Sequence, residues 1–238
     1  MPEAAFKRVV IKLSGEALSG PAGCGIDPDQ VNFIARKIQP IYELGVQIAI
    51  VIGAGNLWRG NIGVARGMDP VTADHMGMIA TVMNGMALQD ALEQHGIPTR
   101  VQTAIQMNQV TEPYIRLRAI RHLEKGRVVV FAGGTGNPFF TTDSAAALRA
   151  REIKADVIIK ATKVDGVYHE DPNINKDALK FETLTYSEAI ERRVRVMDMT
   201  AITMCMDNDM PLIVLDFWDD HALYGAVLGE TVGTYIGT

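Results

Sequence analysis

Cysteine and histidine are scarce in this chain, and their scarcity excludes two classes of protein. The only cysteines, Cys24 and Cys205, are far apart in sequence, so they do not form the disulfide framework of a small secreted domain. The five histidines are scattered and show no zinc-ligand spacing. We therefore expect a protein of a reducing compartment, with no structural metal.

Long apolar runs and a basic surplus are also missing. No apolar stretch approaches the ~20 residues that span a bilayer, and the first residues lack the charged and apolar segments of a signal peptide. The formal net charge is -5, whereas a general nucleic-acid binder usually carries a basic face. The sequence therefore predicts a cytoplasmic protein without a membrane or nucleic-acid partner, although local basic patches remain possible.

Strand and helix patterns alternate along the whole chain of 238 residues. Strands such as 46–52 are apolar on both faces, which is typical of a sheet that is covered on both sides. The pattern predicts an α/β fold, a three-layer αβα sandwich with a mostly parallel central sheet. No repeat, low-complexity tract or linker divides the chain, so we expect a single domain over residues 1–238.

The predicted elements are easily stated as ranges. Strands are predicted over 7–13, 46–52, 99–104, 127–132, 155–161, 211–217 and 234–237. Helices are predicted over 28–44, 71–94, 113–124, 144–153, 186–193, 198–207 and 221–228, and a polar loop over 173–180.

Residues 133–143 contain the most unusual local chemistry. They join a predicted buried strand to an alanine-rich helix, and α/β proteins commonly hold phosphates at such a junction. Thr142 or Asp143 is suited to cap the helix. A tight turn before a capped helix is the simpler alternative, but Phe139 and Phe140 within a polar loop favour a pocket with an apolar wall for a planar ring.

Other turns with basic residues follow other predicted strands. Lys12 ends a strand beside Ser14 and Gly15, and Arg59 follows a glycine turn at 53–55, so both are suited to contact a phosphate. Each has a simpler interpretation, as a surface charge or a partner of a surface carboxylate. The chain has no Walker loop, and the glycine turn lacks the third glycine of a dinucleotide fingerprint.

The helical pattern at 71–94 is apolar around much of its circumference. Such a helix is buried on more than one side, so it predicts an oligomer; a central helix within one domain is the alternative. Asp74, near its start, is suited to cap the helix or to accept hydrogen bonds from sugar hydroxyls.

Five motifs together resemble the bacterial uridylate kinases, a group within the amino acid kinase family. They are Lys-Leu-Ser-Gly at 12–15, Gly-Ala-Gly-Asn-Leu-Trp-Arg at 53–59, Asp-His-Met-Gly-Met at 74–78, Thr-Gly-Asn-Pro-Phe-Phe-Thr-Thr-Asp at 135–143 and Lys-Ala-Thr-Lys-Val-Asp-Gly at 160–166. The first and last are shared in some form with acetylglutamate, aspartate and carbamate kinases and so identify the fold. The fourth is the motif that indicates UMP.

The resemblance implies transfer of the ATP γ-phosphoryl group to UMP, giving UDP in pyrimidine biosynthesis, with Mg²⁺ accompanying ATP. The part of the chain before about residue 135 would mainly bind UMP and form the oligomer, and the part from about residue 135 onward would mainly bind ATP. The implied catalytic residues are Lys12, Asp143, Lys160 and Lys163. The implied ATP contacts are Lys12, Leu13, Ser14, Gly15, Gly55, Arg59, Thr162, Tyr168 and Asp171. The implied UMP contacts are Ala54, Arg59, Asp74, Thr135, Gly136, Asn137, Pro138, Phe139, Phe140, Thr141 and Thr142.

The same resemblance implies a homohexamer that GTP activates and UTP inhibits. The implied GTP-linked loop contains Gly20, Pro21, Ala22, Gly23, Cys24 and Gly25. Three departures from relatives stand out. Ala54 replaces a glycine of many relatives, and Gln89 and Glu93 stand where some relatives carry Arg and His. Three other functions remain in competition: a kinase acting on carbamate or an amino acid carboxylate, a dinucleotide-dependent oxidoreductase, and a non-catalytic nucleotide sensor.

Overall fold

The structure, a computed structural model, describes residues 2–170, 174–175, 177–194 and 196–238. The implied ATP contact Asp171 and part of the predicted loop at 173–180 lie outside the described residues. Within the described part of the chain, none of the helices combines the length and apolar character needed to cross a bilayer.

A central sheet and a separate two-stranded hairpin contain the strands. The sheet strands are β1 (Arg8–Leu13), β2 (Gln47–Ile52), β3 (Thr99–Thr103), β4 (Glu112–Pro113), β5 (Val128–Ala132), β6 (Val157–Thr162), β9 (Thr183–Thr185), β10 (Leu212–Asp216) and β11 (Thr234–Gly237), and the hairpin strands are β7 (Val167–Tyr168) and β8 (Lys180–Phe181). The sheet order is β4-β3-β5-β2-β1-β6-β10-β11-β9. Neighbouring strands are parallel except for β10 and β11. The predicted, mostly parallel sheet is confirmed.

Helices cover both faces of this sheet. They are α1 (Pro28–Glu43), α2 (Gly60–Ala65), α3 (Pro70–Gln94), α4 (Arg116–Glu124), α5 (Thr142–Ile153), α6 (Tyr186–Glu191), α7 (Met199–Met206) and α8 (Ala222–Leu228). In β1, Ile11 packs with the core of α1, α3 and α8, while Val10 packs with that of α4, α5 and α7. Because successive strand residues point to opposite faces, an all-apolar strand fills both cores. The three-layer αβα prediction is therefore confirmed.

Several element boundaries differ from the predicted ones for identifiable reasons. Helix α5 begins at Thr142 rather than residue 144, because Thr141 accepts the Asp143 N–H at 3.0 Å and caps the helix. Helix α4 begins at Arg116 rather than 113, since Glu112–Pro113 pairs with β3. The short α2, a 3₁₀ helix at Gly15–Leu18 and β9 were not predicted.

Helix α3 packs against the sheet on one side only. Its buried side includes Val82, Leu88 and Leu92, so the apolar pattern is partly explained by this core. On the other side lies what we call the α3 stripe, four side chains between 37% and 52% exposed at helical spacing: Met76, Ile79, Met83 and Met86. The helix is thus not enclosed within its own chain, contrary to the alternative of a central helix.

Candidate active site

The carboxyl ends of β5, β2, β1, β6 and β10 lie side by side, because these strands are parallel neighbours. Loops after such strand ends are the usual ligand-binding region of an open α/β sheet. Here they form two adjacent cavities. The first cavity, of about 310 Å³, is lined by the loops after β2 and β5 and by α3. The second cavity, of about 200 Å³, is lined by the loops after β1, β6 and β10.

The first cavity contains most of the residues that the resemblance assigns to UMP. Those that line it are Ala54, Asp74, Thr135, Phe140, Thr141 and Thr142, and Gly55, which the resemblance assigns to ATP, also lines it. Trp58, Met78 and Thr81 also line it and were not predicted. Gly136, Asn137 and Pro138 are in the same loop but outside this lining. Phe139 is also outside it, with a side chain that is 75% exposed.

Contacts to α3 hold the loop that closes the first cavity. The Gly133 N–H donates to Thr81 Oγ1 at 2.7 Å, and the Phe139 N–H donates to Asp74 Oδ2 at 2.7 Å. Gly133 needs to be glycine, since its φ is 75° and a Cβ there would lie 2.7 Å from Thr103 Oγ1. Asp74 therefore positions the loop in this structure as well as facing the cavity.

Two lysines that line the second cavity flank the carboxylate of Asp143, which lies beside this cavity. Lys12 on β1 and Lys160 on β6 are register partners in adjacent strands. Lys12 Nζ lies 2.7 Å from Asp143 Oδ1, and the two groups form an ion pair whose geometry is not that of a hydrogen bond. Lys160 Nζ donates a hydrogen bond to Asp143 Oδ2 at 2.8 Å. Lys160 also donates to the Val196 carbonyl. The group is mostly buried, which strengthens its electrostatic interactions.

Burial and charge compete in setting the pKa values of this group. Burial alone would raise the pKa of Asp143, but Lys12 and Lys160 outweigh it and hold that pKa below its usual value. For Lys160, burial lowers the pKa, and the neighbouring Asp143 only partly restores it. Asp143 is consequently ionised at neutral pH, and it is a single carboxylate that faces two lysines.

The remaining predicted residues are more dispersed. Leu13, Ser14, Thr162 and Lys163 line the second cavity with Phe217 and Trp218, which were not predicted. Lys163 is 69% exposed and lies 3.8 Å from Glu16, so it is not part of the buried group. Tyr168 is in β7, where its hydroxyl donates to Asp165 at 2.6 Å, and it does not line the second cavity.

Arg59 and the predicted GTP-linked loop meet beside the first cavity. A third cavity of about 590 Å³ is lined by Gly23 and Cys24 of this loop and by Trp58, Arg59 and Arg66. The Gly25 N–H donates to the carbonyl of Asn56, at 2.9 Å. The loop is thereby tied to the turn that follows β2.

Two further groups of polar residues support the site, and they were not predicted from the sequence. Asn56 and Asn84 are buried and exchange amide hydrogen bonds at 2.9 and 2.7 Å, and Asn84 also donates to the Gly53 carbonyl at 2.8 Å. An asparagine inside an otherwise apolar helix was the available signal for this pair. Asp198 accepts from Thr141 Oγ1 and, at 3.0 Å, from Ser144 Oγ, and the sequence indicated only that it begins a predicted helix.

The chain's own residues offer little to a free metal ion. Among the described residues, no three acidic, histidine or cysteine side chains come together as a metal site, and both oxygens of Asp143 face lysines. Mg²⁺ usually binds through one or two carboxylates together with substrate phosphates. The donor set therefore suits a magnesium ion that arrives with a phosphate ligand rather than one that the protein holds by itself.

Comparison with known proteins identifies the family of the chain. The family model described as Amino acid kinase family matches residues 7–216. The structure of UMP kinase from Bacillus anthracis is similar at 40% identity and a TM-score of 0.95, covering 98% of this chain and 96% of that one. The structure of UMP kinase from Ureaplasma parvum is similar at 36% identity and a TM-score of 0.92, covering 98% of this chain and 99% of that one. The structure of uridylate kinase from Archaeoglobus fulgidus is similar at 30% identity and a TM-score of 0.75, covering 96% of this chain and 99% of that one. Because the family model matches most of the chain, the chain belongs to the amino acid kinase family.

Proposed function

We propose that the chain transfers the γ-phosphoryl group of ATP to UMP, giving ADP and UDP. One observation carries the proposal: the Lys12, Asp143 and Lys160 group lies between two cavities that suit two nucleotides. Thr142 lines the first cavity, and its neighbour Asp143 contacts both lysines of the second. The similarity to three uridylate kinase structures favours UMP as acceptor.

UMP would occupy the first cavity. The threonine hydroxyls and backbone N–H groups of this cavity are neutral hydrogen-bonding groups, and the N-terminus of α5 favours an anion. Phe140 offers an apolar wall for the pyrimidine ring, and Asp74 offers a carboxylate to the ribose hydroxyls. MgATP would occupy the second cavity, with its phosphates near Lys12, Ser14 and Gly15 and its adenine towards Phe217 and Trp218.

The chemistry requires positioning and charge rather than a strong base. The second pKa of a phosphate monoester is about 6, so the attacking UMP oxygen is already largely ionised at neutral pH. Lys12 and Lys160 stabilise charge on the migrating phosphoryl group, and Asp143 fixes the separation of the two ammonium groups. Magnesium, carried by ATP, supplies further charge neutralisation.

An acceptor panel tests this function. ADP release is measured by a coupled assay with UMP, CMP, dTMP, aspartate and acetylglutamate as alternative acceptors. We expect turnover with UMP far above that with the others. Turnover with a carboxylate acceptor would assign the chain to an amino acid kinase activity, and binding of both nucleotides without turnover would make it a sensor.

Assembly and regulation are a second level of the proposal. The α3 stripe is suited to pack against another copy of the chain, in line with the implied homohexamer. GTP activation is proposed through residues 20–25, and the contact of Gly25 with Asn56 beside the first cavity supports a link between this loop and the acceptor site. UTP inhibition is proposed without an assigned site. The cytoplasmic location, the single domain and the absence of a nucleic-acid partner stay predictions.

A further inference from the structure

Glu16 places a carboxylate among the basic side chains of the cleft. Its Oε1 lies 2.5 Å from Arg59 Nη2, and its Oε2 lies 3.8 Å from Lys163 Nζ. Glu16 lines the second cavity together with Lys12 and Lys160. An acid is unfavourable at this point for a protein that binds phosphates, because like charges repel each other. Its presence therefore needs an explanation.

The backbone, rather than the ion pairs, fixes the position of Glu16. Glu16 is in the 3₁₀ helix that begins at Gly15, and a Cβ on Gly15 would lie 2.6 Å from the Gly53 carbonyl oxygen. A Cβ on Gly55 would lie 3.4 Å from Glu16 Cγ. The turns after β1 and β2 are thus in close contact, and this contact places the carboxylate beside Arg59.

Stability does not explain the ion pairs. The side chains of Glu16, Arg59 and Lys163 are 35%, 52% and 69% exposed, and ion pairs of such exposure contribute little to folding. A phosphate group is a stronger partner for Arg59, since it carries more negative charge and has three acceptor oxygens. A bound nucleotide phosphate would displace the carboxylate.

We propose that Glu16 is a placeholder for a nucleotide phosphate. It forms an ion pair with Arg59, and it competes with an incoming phosphate for that arginine. Glu16 therefore sets the affinity for phosphorylated ligands without contacting the base. The inference rests on the proposed function in taking a phosphate-bearing nucleotide as the ligand.

The test compares Glu16→Gln with the unchanged protein by calorimetric titration. Three probes are used at low salt: UMP, uridine and inorganic tripolyphosphate. We expect the Kd of E16Q for UMP and for tripolyphosphate to fall about fivefold, the size of a charge interaction at a partly exposed site. Uridine, which lacks the phosphate, should bind the two proteins equally. Glu124→Gln is the matched control, because Glu124 is an exposed partner of Arg121, at 3.6 Å, on α4.

A second variant tests whether Arg59 is the group for which Glu16 and the phosphate compete. In an Arg59→Gln background, adding E16Q should give no further gain in affinity. Unchanged or weaker binding of UMP and tripolyphosphate to E16Q would overturn the inference, as would an equal change for uridine. If the unchanged protein bound tripolyphosphate but not UMP, the proposed function would fail, and the tripolyphosphate comparison would still decide the role of Glu16.

Discussion

Lys12 is the single residue whose replacement best separates chemistry from folding. In Lys12→Met, Asp143 keeps its hydrogen bond with Lys160, so the buried carboxylate remains paired. We expect kcat to fall by about a hundredfold or more, since charge stabilisation of a transition state is worth several kcal/mol. The free energy of unfolding, measured by urea titration, should change far less than the free energy of activation. Lys125→Met, at the exposed end of α4, is the control, and a near-normal kcat in K12M would remove Lys12 from the mechanism.

Asp143 gives a prediction about pH. Its pKa is lowered in the folded protein, so the unfolded chain takes up a proton first as the pH falls. The stabilisation is complete above the ordinary aspartate pKa of about 3.9 and is lost as the pH falls through the folded value. Asp143→Asn should therefore be less stable at pH 7, and its difference from the unchanged protein should shrink below about pH 4. Urea titrations at pH 7, 4 and 3 measure this, and a constant difference would contradict the assigned charge coupling.

Asn84 gives a prediction about stability alone. Replacing it by alanine removes the amide that donates to Asn56 Oδ1 and to the Gly53 carbonyl in a buried region, while Asn56 Nδ2 still donates to the Gly25 carbonyl. Each buried unsatisfied group costs about 1–3 kcal/mol, so we expect a loss of roughly 2–4 kcal/mol in the free energy of unfolding. Asn32→Ala, on the partly exposed side of α1, should change it little. A loss in N84A no larger than in N32A would show that the amide pair is dispensable.

At the scale of elements, α3 predicts self-association. The α3 stripe repeats every three or four residues and faces away from its own sheet, and a contiguous apolar surface of this kind is typical of an interface. Met83→Glu should shift the protein to smaller species in sedimentation velocity, because burying an unpaired charge is costly. Met199→Glu, at another exposed methionine, is the matched control. An unchanged sedimentation coefficient in M83E would exclude the stripe as an interface.

Element type was easier to predict from sequence than element contacts. The apolar strands and the capped α1 carry their signals within a few residues, as Asp27 and Pro28 show at the start of α1. The role of Asp74 depends on a loop 65 residues away, and no local pattern reports such a contact. Phe139 and Phe140 look equivalent in sequence, yet the positive φ of Phe139, 71°, accompanies a side chain that does not line the first cavity.

At the scale of the whole molecule, the alternation of strands and helices along the sequence predicts a layered fold but does not determine the order of the strands in the sheet. That β1 lies between β2 and β6 is decided by long-range packing, and it is this order that brings Lys12 beside Lys160. The antiparallel β11 follows a short connection from α8 and was predicted only as a strand. The candidate catalytic residues could thus be named from motifs, whereas their mutual distances required the fold.

The pairing of Lys12 with Lys160 across two neighbouring strands has a consequence for assembly of the sheet. A slip of one residue between β1 and β6 would turn one ammonium group into the apolar layer under α1 and α8, because successive side chains alternate between faces. Misaligned pairing would thus bury a cation without a counterion. The charges that suit phosphoryl transfer also discriminate against wrong strand alignment at the middle of the protein.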